Sequence, residues 1–155
     1  DSTFFYKLTG RVIVKNMDKL IKSTSSNNAF IFPLESLSEL YYYMVSTIVY
    51  KADTKLYKQL LLDAYRDVFD NRKIYLEHIF YNRLKDIPLS SFGAYPVLEG
   101  CSGSTGKSYA ESKRRFLKNS LLNRLHFFSH TEKSSFQMFV FSIIRLVKNI
   151  KKQLS

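Results

Sequence analysis

The chain has 155 residues, with 24 Lys and Arg against 13 Asp and Glu, one Cys, three His and a formal net charge of +11. A hydrophobic content of 45%, including 15% aromatic residues, is enough to bury a core and excludes a disordered segment. Lone Cys101 and three dispersed His exclude a disulfide scaffold and a four-ligand structural zinc site.

Thr3 to Leu8 and Arg11 to Lys15 are rich in aromatic and β-branched residues around Thr9 and Gly10, which predicts two strands joined as a hairpin. Met17 to Lys22 reads as a short helical turn and Ser23 to Asn28 as a polar loop. Ala29 to Phe32 reads as a third strand stopped by Pro33. Ser36 and Glu39 form an S-x-x-E helix start, and Leu40, Tyr43, Met44, Thr47 and Ile48 recur at helical spacing after it. Asp53 or Thr54 can cap a second helix carrying Leu56, Leu60, Leu61, Ala64 and Val68. A third follows Asp70, with Ile74, Tyr75, His78, Ile79 and Leu84 on one side.

Asp86 to Gly106 collects Pro88, Gly93, Pro96, Gly100, Gly103 and Gly106 and reads mostly as connection, with Tyr95 to Leu98 as a short strand. Ser108 with Glu111 then starts a helix over Tyr109 to Phe128. Ser134 with Gln137 starts another, running to about Leu154. The expected fold is α+β in one domain, 1–155, predominantly helical with about five helices and a small N-terminal antiparallel sheet. Its parts are a strand-rich 1–34, a three-helix 36–86, a Gly/Pro-rich connection 87–107 and two basic helices in 108–155.

Charge is unevenly placed along this plan. Residues 1–50 and 51–99 each carry a net +1, whereas 100–155 hold eleven basic groups against Glu111 and Glu132, a net +9. Segregated charge of this kind is the footprint of an anionic partner. In the helix after Ser108, Leu117, Leu121, Leu125 and Phe128 form an apolar stripe expected to face the core. Lys113, Arg114, Arg115, Lys118 and Arg124, with Lys107 ahead of the helix, are the candidate anion-binding set. Arg145 and Lys148 extend it in the last helix. Arginine forks and lysine point charges suit a phosphate backbone.

Ser102, Gly103, Ser104, Thr105, Gly106, Lys107 and Ser108 form a candidate phosphate loop. Gly106, Lys107 and Ser108 match the end of the P-loop pattern G-x-x-x-x-G-K-[ST], with Cys101 at the first glycine position. The run Ser102 to Lys107 also resembles the S-G-S-T-G-K part of the ATP-phosphate loop of adenylate-forming enzymes, with Ser108 where those carry proline. That resemblance implies ATP-phosphate contact at this loop.

No catalytic constellation is complete: His126 and His130 lie at i, i+4 without the glutamate of a zinc-protease helix, and Cys101 has no identifiable base. Tyr41, Tyr42 and Tyr43 point in three directions from a helix, which favours packing over base stacking. The reading is therefore a noncatalytic, intracellular module without cofactor or metal whose basic C-terminal helices engage nucleic acid, DNA or RNA. An acidic protein partner, nucleotide or phosphate at the Ser102–Ser108 loop, and an anionic membrane surface are its alternatives. Uncharged stretches such as Ile87 to Leu98 are too short for a transmembrane segment. The chain opens on Asp1 without a secretory leader pattern, as expected of a piece of something longer.

Overall fold

The computed structural model describes residues 3–32, 44–103 and 106–129, with the side chains of 122 and 124–129 outside that description. β1 (Phe4–Leu8), β2 (Val12–Val14), α1 (Met17–Ser23), β3 (Ala29–Phe30) and β4 (Val49–Asp53) come first. α2 (Thr54–Leu56), α3 (Leu76–Leu84), β5 (Ser90–Ser91), β6 (Leu98–Gly100) and α4 (Lys113–Ser129) follow.

β1, β4, β3 and β5 form a mixed sheet in that order, antiparallel except for the parallel β3–β5 pair, while β2 and β6 make a separate antiparallel ribbon. The expectation of a predominantly helical chain with a small N-terminal antiparallel sheet is thus overturned. Among the described residues the fold is α+β on a four-stranded mixed sheet with a two-stranded companion. β4 and β5, in segments read as connection, supply most of the difference, and the short strand expected at Tyr95 to Leu98 lies instead at Leu98–Gly100 as β6. β4 alternates, with Val49 and Lys51 on one face and Tyr50 and Ala52 on the other, and all four are buried.

The N-terminal hairpin does not form either. Val12 N–H donates to Thr9 O at 3.0 Å, so the turn is present. Its two strands nevertheless part, β1 to lie against β4 (Phe4 opposite Asp53, Leu8 opposite Val49) and β2 against β6 (Val12 opposite Gly100). Gly100 has φ +120°, and a Cβ there would lie 2.1 Å from Arg11 O, so this ribbon closes only on glycine.

The sheet divides two buried clusters. Phe30, Tyr50 and Ala52 face Leu61, Phe80 and Leu84 of the α2–α3 region, with Phe5 packed at the margin. Ala29 and Val49 face Leu20 of α1, together with Ile31, Phe92 and Val14. Lys51 is on this second face and only 4% exposed; its Nζ donates to Thr24 O and lies 4.1 Å over the Phe4 ring.

Asp53 caps α2 by accepting from the amides of Lys55 and Leu56 at 2.9 and 3.0 Å. The second helix is shorter than its apolar spacing predicts. After Leu56 it widens to a π-helical turn (Tyr57–Leu61), and a 3-10 turn (Ala64–Asp67) follows. The third starts at Leu76 rather than after Asp70, because Phe69 and Ile74 pair across a 3-10 turn whose exit residue Lys73 is left-handed. Arg83 of α3 bonds Leu60 O at 2.8 Å and both Asp63 and Asp67, clamping the two segments. Met44 to Ile48 are irregular, so the helix expected over them is not formed there. The expected Ser36 start, Tyr41 to Tyr43 and the expected 134–154 helix lie outside the described residues. Among the described residues no helix is long and apolar enough to cross a membrane.

Candidate functional site

α4 starts at Lys113, not at Tyr109: Ser112 Oγ accepts from Arg115 N–H at 3.3 Å, while Ser108 bridges back to Cys101. Ser108 and Glu111 therefore form no capping box. Glu111 instead accepts from Asn119 Nδ2 at 2.6 Å and pairs with Arg115 at 3.6 Å. Among its described side chains, the side of α4 that meets the body carries Phe116 and two polar residues. Asn119 and Asn123 are buried, Asn123 Nδ2 donates to Phe92 O at 2.7 Å, and Ser91 Oγ donates to Asn123 O at 2.9 Å. Leu117 and Leu121, the first two members of the leucine stripe expected to face the core, are instead 68% and 62% exposed. Leu125 and Phe128 have side chains outside the described residues.

This docking turns the basic residues into a cleft. Arg114, Arg115 and Lys118, all exposed, line a cavity of about 730 Å³ together with Met44, Ser46, Glu77, Tyr95 and Tyr109. Two carboxylates share the cleft, both half-buried: Glu111, held as above, and Glu77, whose Oε1 accepts from Thr47 Oγ1 at 2.7 Å. Behind Thr47 lies Lys7, whose Nζ donates to Thr47 O at 2.9 Å. Burial holds this ammonium below the usual lysine range, and Glu77 partly offsets that.

A second cavity of about 320 Å³ adjoins the cleft and shares Tyr95, Leu98, Tyr109 and Glu111 with it. Pro96, Val97, Phe116 and Leu117 complete its largely apolar wall, and Lys113 also lines it. The Tyr95 and Phe116 rings meet edge to face at 5.7 Å.

Of the residues singled out by charge, Arg114, Arg115 and Lys118 thus come together and Lys113 borders the adjoining cavity. Lys107 is exposed on the preceding loop and lines neither cavity. Arg124 is on α4 with its side chain outside the described residues, as Arg145 and Lys148 are entirely. The aromatic walls, Tyr95, Tyr109 and Phe116, were missed as site residues. The available signal was aromatic residues interleaved with a Gly/Pro-rich stretch and the basic run after it.

The Ser102–Ser108 loop closes on itself. Ser102 N–H donates to Lys107 O at 2.8 Å and Gly106 N–H to Ser102 O at 2.9 Å, and Tyr109 N–H donates to Gly100 O at 2.9 Å. A phosphate-cradling loop instead directs its amides at the ligand and runs straight into a helix. Here an extended stretch separates Ser108 from α4, and two of the amides are used internally. Ser104 and Thr105 lie outside the described residues, and a Cβ on Gly103 would lie 3.3 Å from Arg11 Nη1. Among the described residues no group of three or more His, Cys, Asp or Glu could hold a metal ion.

Comparison of the chain with protein-family models, with curated proteins and with solved structures found no match.

Proposed function

We propose that the chain is a noncatalytic binding module whose helix α4 engages the phosphate backbone of a nucleic acid. The observation that carries this reading is the convergence of Arg114, Arg115 and Lys118 on a single cleft. All three cations are exposed while Glu77 and Glu111 are half-buried, so the groups an incoming polyanion meets first are positive. Guanidinium forks of two adjacent arginines and a lysine point charge suit phosphate oxygens. The test is binding of a labelled oligonucleotide across salt concentrations. About three neutralised phosphates give a slope of log affinity against log salt near −2 to −3. Charge reversal at Arg114, Arg115 and Lys118 together should remove that slope. A flat salt response in the unaltered chain, or undiminished binding after reversal, overturns the reading.

A second reading draws on the exposed leucines. Leu117 and Leu121 lie beside the cations of α4, and an apolar row flanked by basic groups fits an acidic amphipathic segment of a protein partner. A stoichiometric complex that survives nuclease and is lost in Leu117→Asp with Leu121→Asp would favour it over the first.

A further inference from the structure

We infer that the smaller cavity receives one unstacked nucleobase, so that the nucleic acid met by α4 is single-stranded; this rests on the reading of the basic cleft above. A volume of about 320 Å³ is at the small end of ligand sites. Three rings, Tyr95, Tyr109 and Phe116, are in its wall. Stacking on aromatic faces beside a positively charged groove is how single strands are held. A duplex keeps its bases stacked inside and has none to offer such a pocket.

Continuity between the two cavities is the second support. Tyr95 and Tyr109 are common to both, so a nucleotide seated on them has its phosphate on the side of Arg114, Arg115 and Lys118. Lys113, which lines the smaller cavity and not the cleft, offers a further cation for the next phosphate along the strand.

The pocket is also held in shape before any ligand arrives. Asn16 Nδ2 donates to Tyr95 O at 3.0 Å and Asn16 Oδ1 accepts from Val97 N–H at 2.8 Å. Lys15 N–H donates to Val97 O at 2.9 Å, Pro96 is fully buried, and the backbone of Tyr109 is tied to Gly100 O. A platform fixed in this way loses little entropy on binding.

The experiment compares a mixed-sequence single strand with a hairpin duplex of equal length, by fluorescence anisotropy, on the unaltered chain, Tyr109→Ala and Val97→Glu. Val97 is exposed at the pocket mouth, so its variant tests the site without emptying the core. The single strand should bind at least tenfold more tightly than the duplex. Tyr109→Ala should weaken single-strand binding by between about fivefold and about a hundredfold, the range for loss of one stacking aromatic. The salt slope should stay as it was, and Val97→Glu should weaken the single strand more than the duplex. A photoreactive base in the strand should crosslink to Tyr95, Tyr109 or Phe116. Salt-dependent binding that treats both forms equally, is indifferent to both variants and crosslinks elsewhere overturns the inference and leaves the basic cleft standing. Absence of binding to either form overturns both.

Discussion

Asn123, buried on α4, donates its side-chain amide to the backbone carbonyl of Phe92 at 2.7 Å, while the neighbouring Ser91 hydroxyl donates to the Asn123 carbonyl. The helix that carries the basic cleft is thus tied to the body by hydrogen bonds at β5 and the residue after it, while Leu117 and Leu121 stand exposed. Asn123→Ala leaves a carbonyl unpaired and should cost about 1–3 kcal/mol. Leu117→Gln and Leu121→Gln, at exposed positions, should each stay within about 0.5 kcal/mol. Urea midpoints at unchanged slope measure both. An inverted order, with the leucine variants the more damaging, would show that the helix sits the other way round.

Asn16 offers a comparable test of the pocket floor. Its side chain uses donor and acceptor on Tyr95 O and Val97 N–H. Asn16→Asp keeps the acceptor and loses the donor, whereas Asn16→Ala loses both. Both variants should lose stability, Asn16→Ala by about 0.5–1.5 kcal/mol per bond lost and Asn16→Asp because a carboxylate oxygen then faces Tyr95 O. Hydrogen exchange at the Val97 amide should accelerate in Asn16→Ala and remain slow in Asn16→Asp. Equal exchange in the two variants would mean that the amide is protected by something other than this bond.

Glycine positions separate close approach from simple loop composition. A Cβ on Gly93 would lie 2.0 Å from Ser23 O, backbone against backbone, whereas one on Gly10 meets nothing within 4 Å. Gly93→Ala should therefore unfold the contact between this segment and the end of α1, lowering the thermal midpoint by several degrees or more. Gly10→Ala should leave that midpoint within a degree or two. A tolerated Gly93→Ala would place this stretch further from α1 than the structure has it.

These residues also mark what could be read from the sequence and what could not. β1 and β2 were legible as strands because their aromatic and β-branched content is local information. Their partners were not, since β4 and β6 lie far along the chain and the Thr9–Val12 turn suggests the nearer pairing. The helical span of α4 was legible from spacing, but not its orientation. A hydrophobic stripe is expected to be buried, whereas here Leu117 and Leu121 are exposed and Asn119 and Asn123 are the buried side chains, each donating its amide N–H inward. The basic trio was legible because charge is counted directly. Tyr95 and Tyr109 were not, because what brings them to the cleft is the β2–β6 ribbon and the closed loop beyond it. Ser108, a good cap on pattern, does accept from Ala110 N–H at 3.1 Å, but its backbone bridges to Cys101 and α4 starts only at Lys113.

Tyr50 provides the pH test. It is 2% exposed and stacks on Phe30 with centroids 5.3 Å apart and on Tyr57 at 6.5 Å. Burial first, and then the neighbouring Tyr57 phenol, holds its ionisation well above the usual tyrosine range. In the unfolded chain the phenol loses its proton near pH 10, while the folded protein keeps it beyond that. Above that point the unfolded state binds fewer protons than the folded one. This contribution to stability is therefore whole below about pH 10 and declines by about 1.4 kcal/mol per pH unit above it. Tyr6, also raised by burial, acts in the same direction. Lys7 and Lys51, both lowered by burial, act oppositely, their folded forms gaining stability as pH rises toward about 10.4. The difference between the unaltered chain and Tyr50→Phe cancels those three. It should be constant up to about pH 9.5 and then shift in favour of the phenylalanine variant, while absorbance at 295 nm shows one phenol that ionises only as the protein unfolds. A difference that stays flat through pH 11 would mean that the Tyr50 hydroxyl reaches water, and with it that the sheet face toward Phe80 and Leu61 is open.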